Sequence, residues 1–369
     1  MRPIANLFLP ILILIFSACS KSKSDQTQSA AVILLDSIMQ MEPGFNGVVL
    51  VADHGKPVFF KAYGYRDMLK KVPLDTGDIF ELASISKTFT ATLVLMLKNE
   101  GKLDLNDPLE KYFPETPYHG ITIRHLLTHT SGLPDYQEVM DMHWDKSRIA
   151  GNSECIDYLF RYKPTVLFEP GEKYTYSNTG YLFLGSIVEQ VSGEEFSLQL
   201  NKKILQPLGM YNTALRSRTE KSALNNFALG FMKVDSSDVF MPADSFPSSN
   251  YTIWLGNRKG PGRVSSTASD LLRWDQGLCS YRILDSVNLK QAYQPAQLND
   301  GQDSNYGFGW ELEKYAGFNT VGHSGSNPGY KTHLIRDLKN RRTVIVLSNN
   351  TFERIPELLE RIMGIFPQK

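Results

Sequence analysis

Cysteine is scarce in this 369-residue chain, occurring only as Cys19, Cys155 and Cys279. Three thiols exclude a disulfide-stapled scaffold and a four-cysteine zinc site. A charge excess is missing as well, because 39 Lys and Arg balance 39 Asp and Glu. Nucleic-acid binders normally carry a strong basic surplus, so no nucleic-acid partner is expected. A bilayer-spanning run is also lacking, since crossing takes roughly 20 apolar residues. The run Ile4–Phe16 has thirteen residues and is interrupted by Pro10. The signature of disorder is absent too: about 42% of the residues are hydrophobic and 21% charged. That composition offsets chain entropy and buries a sizeable core in one large domain or two.

What is present begins with an address. Arg2 precedes the short apolar run, and Ser17, Ala18 and Cys19 follow it. A basic start, a short apolar core and small residues before a cut form a secretory signal. The run Phe16-Ser17-Ala18-Cys19 resembles a bacterial lipobox, with Phe16 where Leu is usual. Residues 1–18 are therefore expected to be a signal peptide, with cleavage before Cys19 and a lipid on that thiol. Cleavage nearby to give a soluble exported protein is the alternative. The polar, low-complexity segment that follows, within 19–30, reads as a flexible tether. The expected location is the bacterial cell envelope, periplasm-facing or extracellular, with the membrane as partner through the anchor. Cys155 and Cys279 read as two separate buried thiols, a single disulfide being the alternative. Neither sits in a setting that marks a nucleophilic cysteine.

Residues 31–369 read as the folded domain. Between Phe45 and Tyr65, two β-rich runs flank the turn signal Asp53-His54-Gly55-Lys56-Pro57, which predicts a hairpin. From Ser84 the apolar residues recur at helical spacing, and Gly101 stands where a helix stops. Helical segments then alternate with Pro- and Gly-rich loops over about 106–250, the clearest being Ile123–Leu127, Cys155–Tyr162 and Gly180–Ser192. After a short extended piece near Gly262–Ser266, a helix starts with Ser269 and Asp270 as capping signals. Strands return at Phe308–Leu312, Tyr330–Arg336 and Arg342–Ser348, and an amphipathic helix, Ile355–Met363, closes the chain. Strands at both ends with helices between predict an α+β fold (α/β in the broad sense): an antiparallel sheet flanked by helices, with an all-helical region inserted.

Three motifs carry the chemistry. Ser84-Ile85-Ser86-Lys87 is a Ser-x-x-Lys. At the start of a helix, positions i and i+3 share a face, so the amine reaches the hydroxyl. A serine is a weak nucleophile until a base takes its proton, and a lysine serves only when neutral. Alone the pattern is weak, because roughly one is expected by chance in such a chain. A second, Ser20–Lys23, lies in the tether, and Ser84 also fits a plain helix N-cap. Tyr176-Ser177-Asn178 lies in a loop after Glu169-Pro170-Gly171. Tyr176 can shuttle protons if its pKa is depressed, and Asn178 can hold Lys87 or a substrate carbonyl; a helix-entry turn is the bland alternative. Gly322-His323-Ser324-Gly325-Ser326 reads as a Gly-rich turn on a late strand. Its glycines admit a substrate to the strand edge, and His323 can bind a carboxylate or relay a proton.

Taken together and in this order, the three motifs resemble the penicillin-recognising serine hydrolases. That group holds class C β-lactamases, D-Ala-D-Ala carboxypeptidases, and D-aminopeptidase and esterase relatives. The stretches Ile123–Tyr136, Glu169–Gly185 and Gly262–Leu272 are similar to the family as well, so the resemblance covers roughly Asn46 to Asn349. It implies a β-lactamase/transpeptidase-like fold, with Ser84 as acylated nucleophile and Lys87 as its deprotonating partner. Tyr176 would be general base and leaving-group acid, and Asn178 would orient Lys87 and the substrate amide. Backbone N–H groups of Ser84 and Ser326 would form the oxyanion hole, and His323, Ser324 and Gly325 would line the substrate. No cofactor or metal is implied. One departure stands out: His323-Ser324-Gly325 replaces the Lys-Thr-Gly of most β-lactamases, which points toward the carboxypeptidase and D-peptidase branch. A histidine there should lose its grip on a carboxylate as pH rises past ~6.5.

The expected activity is an acyl-enzyme hydrolase for small peptides, most of all D-amino-acid peptides. A class C-like β-lactamase and a small-acyl esterase are the same-class alternatives, with β-lactam or ester substrates. A non-catalytic penicillin-sensing lipoprotein is the alternative from another class. The pair His125 and His129 has a spacing that can bind zinc, but no third ligand or Glu accompanies it, so a structural role is expected. Gly256, Gly260 and Gly262 around Lys259 form no phosphate loop and read as a loop beside the active site. Trp254, Trp274 and Trp310 read as packing residues.

Overall fold

Val48, Leu50 and Ala52 point to one side of the first strand, Val49 and Val51 to the other, and all five are fully buried. A strand whose alternating positions are all apolar needs cover on both faces. The computed structural model describes residues 23–367 except 236 and 238. Its central sheet has six strands: β1 (Gly47–Asp53), β2 (Lys56–Tyr63), β3 (Glu311–Tyr315), β4 (Phe318–Asn327), β5 (Tyr330–Asp337) and β6 (Arg342–Ser348). They lie in the order β3-β4-β5-β6-β1-β2, every neighbour antiparallel. The two ends of the chain meet where β1 pairs with β6, from Gly47 opposite Ser348 to Asp53 opposite Arg342.

Five helices frame the sheet and the site: α1 (Lys23–Gln40), α2 (Ser86–Asn99), α3 (Asn178–Ser192), α4 (Ala268–Cys279) and α5 (Ile355–Gly364). Helices α1 and α5 cover one face, packing Leu35, Ile38, Leu358, Leu359 and Ile362 against Val49, Val51, Val344 and Val346. Helices α2 and α4 cover the other, where the Phe89 and Trp274 rings stack 4.7 Å apart. Each Val or Leu so enclosed contributes about 1.5–3 kcal/mol relative to exposure. Every residue of α2 from Ser86 to Leu95 is buried. Its threonines are still satisfied: Thr88 and Thr92 donate to carbonyls within the helix turn, and Thr90 donates to Gly260 O at 2.8 Å. Trp254, Trp274 and Trp310 are buried among the packing residues.

Several elements differ from the sequence reading for local reasons. The helix read from Cys155 starts at Asn152, because Glu154 reaches back to accept the Gly151 N–H at 2.8 Å. Thr267 caps α4, accepting from Asp270 N at 3.1 Å, rather than Ser269 or Asp270. Asp270 instead accepts from Asn212 N and Thr213 Oγ1. The strand read at Phe308–Leu312 begins only at Glu311, since Gly309 turns the chain with φ +79°. The glycine-rich run at 322–326 is no turn but the interior of the ten-residue strand β4. Helix α1 begins at Lys23, inside the stretch read as tether, while Cys19 and the signal-peptide reading of residues 1–18 lie outside the described residues. The middle region is not wholly helical. Ala214–Leu215 joins Val264–Ser266 and Phe80–Glu81 in a small sheet, and Phe231–Lys233 pairs with Phe240–Pro242. Cys155 and Cys279 are both free; Cys155 is buried, but Cys279, at the end of α4, is exposed, which corrects the expectation of two buried thiols. Among the described residues, no helix is long and apolar enough to cross a membrane.

Candidate active site

Ala83 holds a left-handed φ of 49°, a conformation that side chains other than Gly adopt rarely and at a cost of about 1–3 kcal/mol. It swings the chain from Phe80–Glu81 into the short 3-10 turn Ala83–Ile85, which runs straight into α2. Within Leu82–Lys87, Ser84 is the residue left half-buried while its neighbours are enclosed. Ser84 therefore sits just ahead of the helix rather than in its first turn. It is not the N-cap either: that position is Ile85, with no side-chain cap bond.

Lys87 is fully buried, and its Nζ has three partners: Ser84 Oγ at 3.0 Å, Asn178 Oδ1 at 2.8 Å and Pro261 O at 2.8 Å. The last two can only accept. A neutral lysine has two N–H donors and one lone pair, so it satisfies both acceptors and still receives the Ser84 O–H. Burial first, and the Arg258 guanidinium second, hold the Lys87 amine well below its ordinary pKa, with Glu311 pulling the other way. The Pro261 carbonyl reaches Lys87 because Gly260, at φ +105°, passes Tyr181 O at a distance where a Cβ would lie 2.1 Å away. Asn152 clamps the same loop, accepting from Lys259 N at 2.7 Å and donating to Lys259 O at 3.0 Å. The glycines around Lys259 thus belong to a loop touching this centre.

Tyr176 lies over Lys87, whose Nζ is 4.7 Å from the ring centroid. The residue is 39% exposed at its surface, yet the protein around it desolvates the phenol. That desolvation raises the phenol pKa far above 10, although a hydrogen bond with Ser84 opposes the rise. A tyrosine so placed stays protonated at neutral pH, contrary to the depressed pKa that a phenolate base requires. Its loop is held by His129, which accepts from Ser177 N at 3.0 Å and lies 4.3 Å from the Tyr176 ring. His125 accepts from Thr122 N at 3.2 Å in a capping box. Each of these histidines thus has a structural partner.

His323 departs most from its reading. It is buried, with Nδ1 2.6 Å from Ser324 O and Nε2 2.7 Å from Tyr306 Oη. A carbonyl only accepts, so Nδ1 carries the proton and Nε2 accepts from the tyrosine. Burial, and secondarily Lys87, push its pKa down to about 3. His323 is therefore a neutral part of the wall, not a cation that grips a carboxylate. Ser324 donates both its N–H and its hydroxyl to Glu311, at 2.8 and 2.7 Å. Gly325 packs against Leu82, and Ser326 is exposed. Because N–H groups of a strand alternate sides, the Ser326 N–H faces the same edge as that of Ser324.

Arg258, Pro261, Tyr306 and Glu311 complete the centre and escaped the sequence reading. Pro261 touches Lys87 from 174 residues away, a separation that no local period encodes. The Gly–aromatic alternation Tyr306-Gly307-Phe308-Gly309-Trp310 was the one visible signal nearby.

The model of the Beta-lactamase family matches residues 35–362. The chain belongs to that family. It is 39% identical over 307 residues to "Penicillin-binding protein 4*" of Bacillus subtilis (strain 168), a match covering 83% of this chain and 68% of that one. It is 28% identical to the "D-aminopeptidase" of Brucella anthropi, covering 87% of this chain and 59% of that protein, less than two thirds of its length. The crystal structure of D-amino acid amidase from Ochrobactrum anthropi SV3 superposes with a TM-score of 0.74 at 27% identity, covering 92% of this chain and 98% of that one. The family and its antiparallel-sheet fold are those of serine hydrolases.

Proposed function

We propose that this member of the family is an exported acyl-enzyme hydrolase for amide or ester bonds of D-amino-acid derivatives, with Ser84 as nucleophile. The observation that supports it most is the three-partner shell of Lys87 Nζ, which suits a neutral amine accepting the Ser84 proton. In this reading Ser84 Oγ attacks the substrate carbonyl as its proton passes to Lys87. The N–H groups of Ser84 and Ser326 hold the oxyanion, and Asn178 keeps Lys87 aimed. Tyr176, a protonated phenol, gives its proton to the departing amine or alkoxide and regains one from Lys87. Water then attacks the acyl-serine ester, Lys87 takes its proton, and the free acid leaves with Ser84 restored.

The D-amino-acid preference rests on similarity to proteins named D-aminopeptidase and D-amino acid amidase, and on a neutral His323 in place of a lysine. Export and lipidation at Cys19 rest on the basic start, the short apolar run and the lipobox-like Phe16–Cys19. The test is ammonia release from D- and L-phenylalaninamide, together with intact mass after a slow ester, using Ser84→Ala as control. D-selective release that falls by at least about a thousandfold in the control supports the reading. Absence of turnover and of any Ser84 adduct overturns it. Penicillin consumption by an enzyme whose mass stays free would make it a β-lactamase instead, and D-blind ester turnover an esterase.

A further inference from the structure

Strand β3 starts at Glu311, opposite Gly322 of β4. Strand β4 runs on from His323 to Asn327, and among the described residues no strand pairs with that stretch on the β3 side. This is the free edge that leads to Ser326. The Glu311 carboxylate folds over its beginning. Oε2 accepts the Ser324 N–H at 2.8 Å, and Oε1 accepts the Ser324 hydroxyl at 2.7 Å while lying 3.5 Å from His323 Nδ1. Two residues of strand, roughly 7 Å, separate Ser324 from Ser326. The carboxylate thus sits one position along the edge from the proposed oxyanion site, with its side chain 19% exposed.

A substrate acid at this position would need donors and positive charge. The donors of Ser324 are already engaged by the protein's own carboxylate, and the flanking histidine is neutral. Glu311 also raises the pKa of Tyr174, Tyr176 and Tyr306, so its negative field reaches all three phenols. A second carboxylate there meets repulsion in a partly desolvated site, whereas a carboxamide or an ammonium does not.

We propose that Glu311 sets the substrate class of this site, closing the strand edge beside Ser324 to carboxylates and admitting neutral or cationic groups next to the scissile bond. The inference deepens the hydrolase reading and rests on it. Glu311 would select amides, esters and amines over the free C-terminal acids of peptides and over penicillin-type acids.

The test uses two probes differing only in that charge, D-alanyl-D-alanine and D-alanyl-D-alaninamide. Their binding to the Ser84→Ala protein is followed by NMR titration, which needs no turnover. The amide should bind at least about tenfold more tightly than the acid, and Glu311→Gln in the same background should bring the ratio within about twofold. Glu311→Ala is read the same way should the Gln variant fail to fold. Equal or tighter binding of the acid with Glu311 intact overturns the proposal, as does a ratio that survives both substitutions, or absence of binding by the amide. Failure of the hydrolase reading is seen separately, as absence of a Ser84 adduct when the unsubstituted protein is treated with 4-nitrophenyl acetate.

Discussion

Gly325 of β4 approaches Leu82 so closely that a β-carbon on the glycine would stand 2.3 Å from the Leu82 carbonyl oxygen. Thr332 Oγ1 donates to that same carbonyl at 2.8 Å and would itself lie 2.2 Å from the added carbon. This contact seats β4 against the turn that carries Ser84. Its two sides are one residue from Ser326 and two from Ser84, the residues proposed to supply the oxyanion donors. Gly325→Ala must push them apart. Turnover should fall by about a hundredfold, because misplacement near 1 Å has that effect. Overpacking should lower stability by about 1–3 kcal/mol. Urea unfolding with steady-state kinetics checks both, and a folded alanine variant with full activity would sink the argument.

Arg258 and Glu311 pull the Lys87 amine in opposite directions, Arg258 down and Glu311 up. As a base Lys87 works only when unprotonated, so acylation should climb with pH through its depressed pKa. Taking away the positive charge in Arg258→Met lets Lys87 keep its proton to higher pH, and the limb moves up. Taking away the negative charge in Glu311→Gln moves the limb down. The pH dependence of 4-nitrophenyl acetate acylation between about 5 and 10 reads both shifts. Two shifts of the same sign would contradict this account of Lys87.

How much of this was legible in the sequence depends on the range of the signal. The Ser84–Lys87 spacing is local, and the strands β1 and β6 announce themselves through the apolar, Val-rich runs Val48–Ala52 and Val344–Leu347, buried on both faces. Strand β4 was legible only in part: its Gly-rich stretch read as a turn because close contacts require glycine there, Gly325 by the Leu82 contact and Gly322 by a Cβ position 2.3 Å from Leu334 O. His323 looked like a cation because its burial under Tyr306 comes from a residue in another element. Glu311 and Arg258 carry no motif at all. Their influence on Lys87 arises when α2, β3 and the 258–261 loop converge, which only the tertiary fold specifies.

His323 also makes the fold acid-sensitive. Its folded-state pKa is about 3, below the ordinary 6.5. A histidine depressed in the native state binds its proton first in the unfolded chain. Its contribution is complete above about pH 6.5 and is lost as pH falls toward 3, at about 1.4 kcal/mol per pH unit. Between pH 7 and 5 this single residue should account for about 2 kcal/mol. Denaturant titrations at several pH values should show a shallower acid slope in His323→Gln, and an unchanged slope would mean that His323 protonates within the fold.

Asp275 of α4 and Arg336 of β5 form the buried ionic tie between helix and sheet, Nε to Oδ1 at 2.6 Å. Thr343 Oγ1 donates to the other Asp275 oxygen at 2.7 Å, and the guanidinium lies 5.4 Å over both Tyr293 and Trp310. Asp275→Ala leaves a buried guanidinium with no counter-charge, a change that typically costs about 3–5 kcal/mol. Replacing both partners, as in Asp275→Leu with Arg336→Met, removes the unpaired charge. It should recover most of that loss. Neither residue touches Ser84 or Lys87, so the folded fraction of each variant should keep its turnover per Ser84 labelled. Thermal and denaturant unfolding of the single and double variants decide the matter. A double variant as unstable as Asp275→Ala would show that the loss lies in packing around Trp310 rather than in the stranded charge.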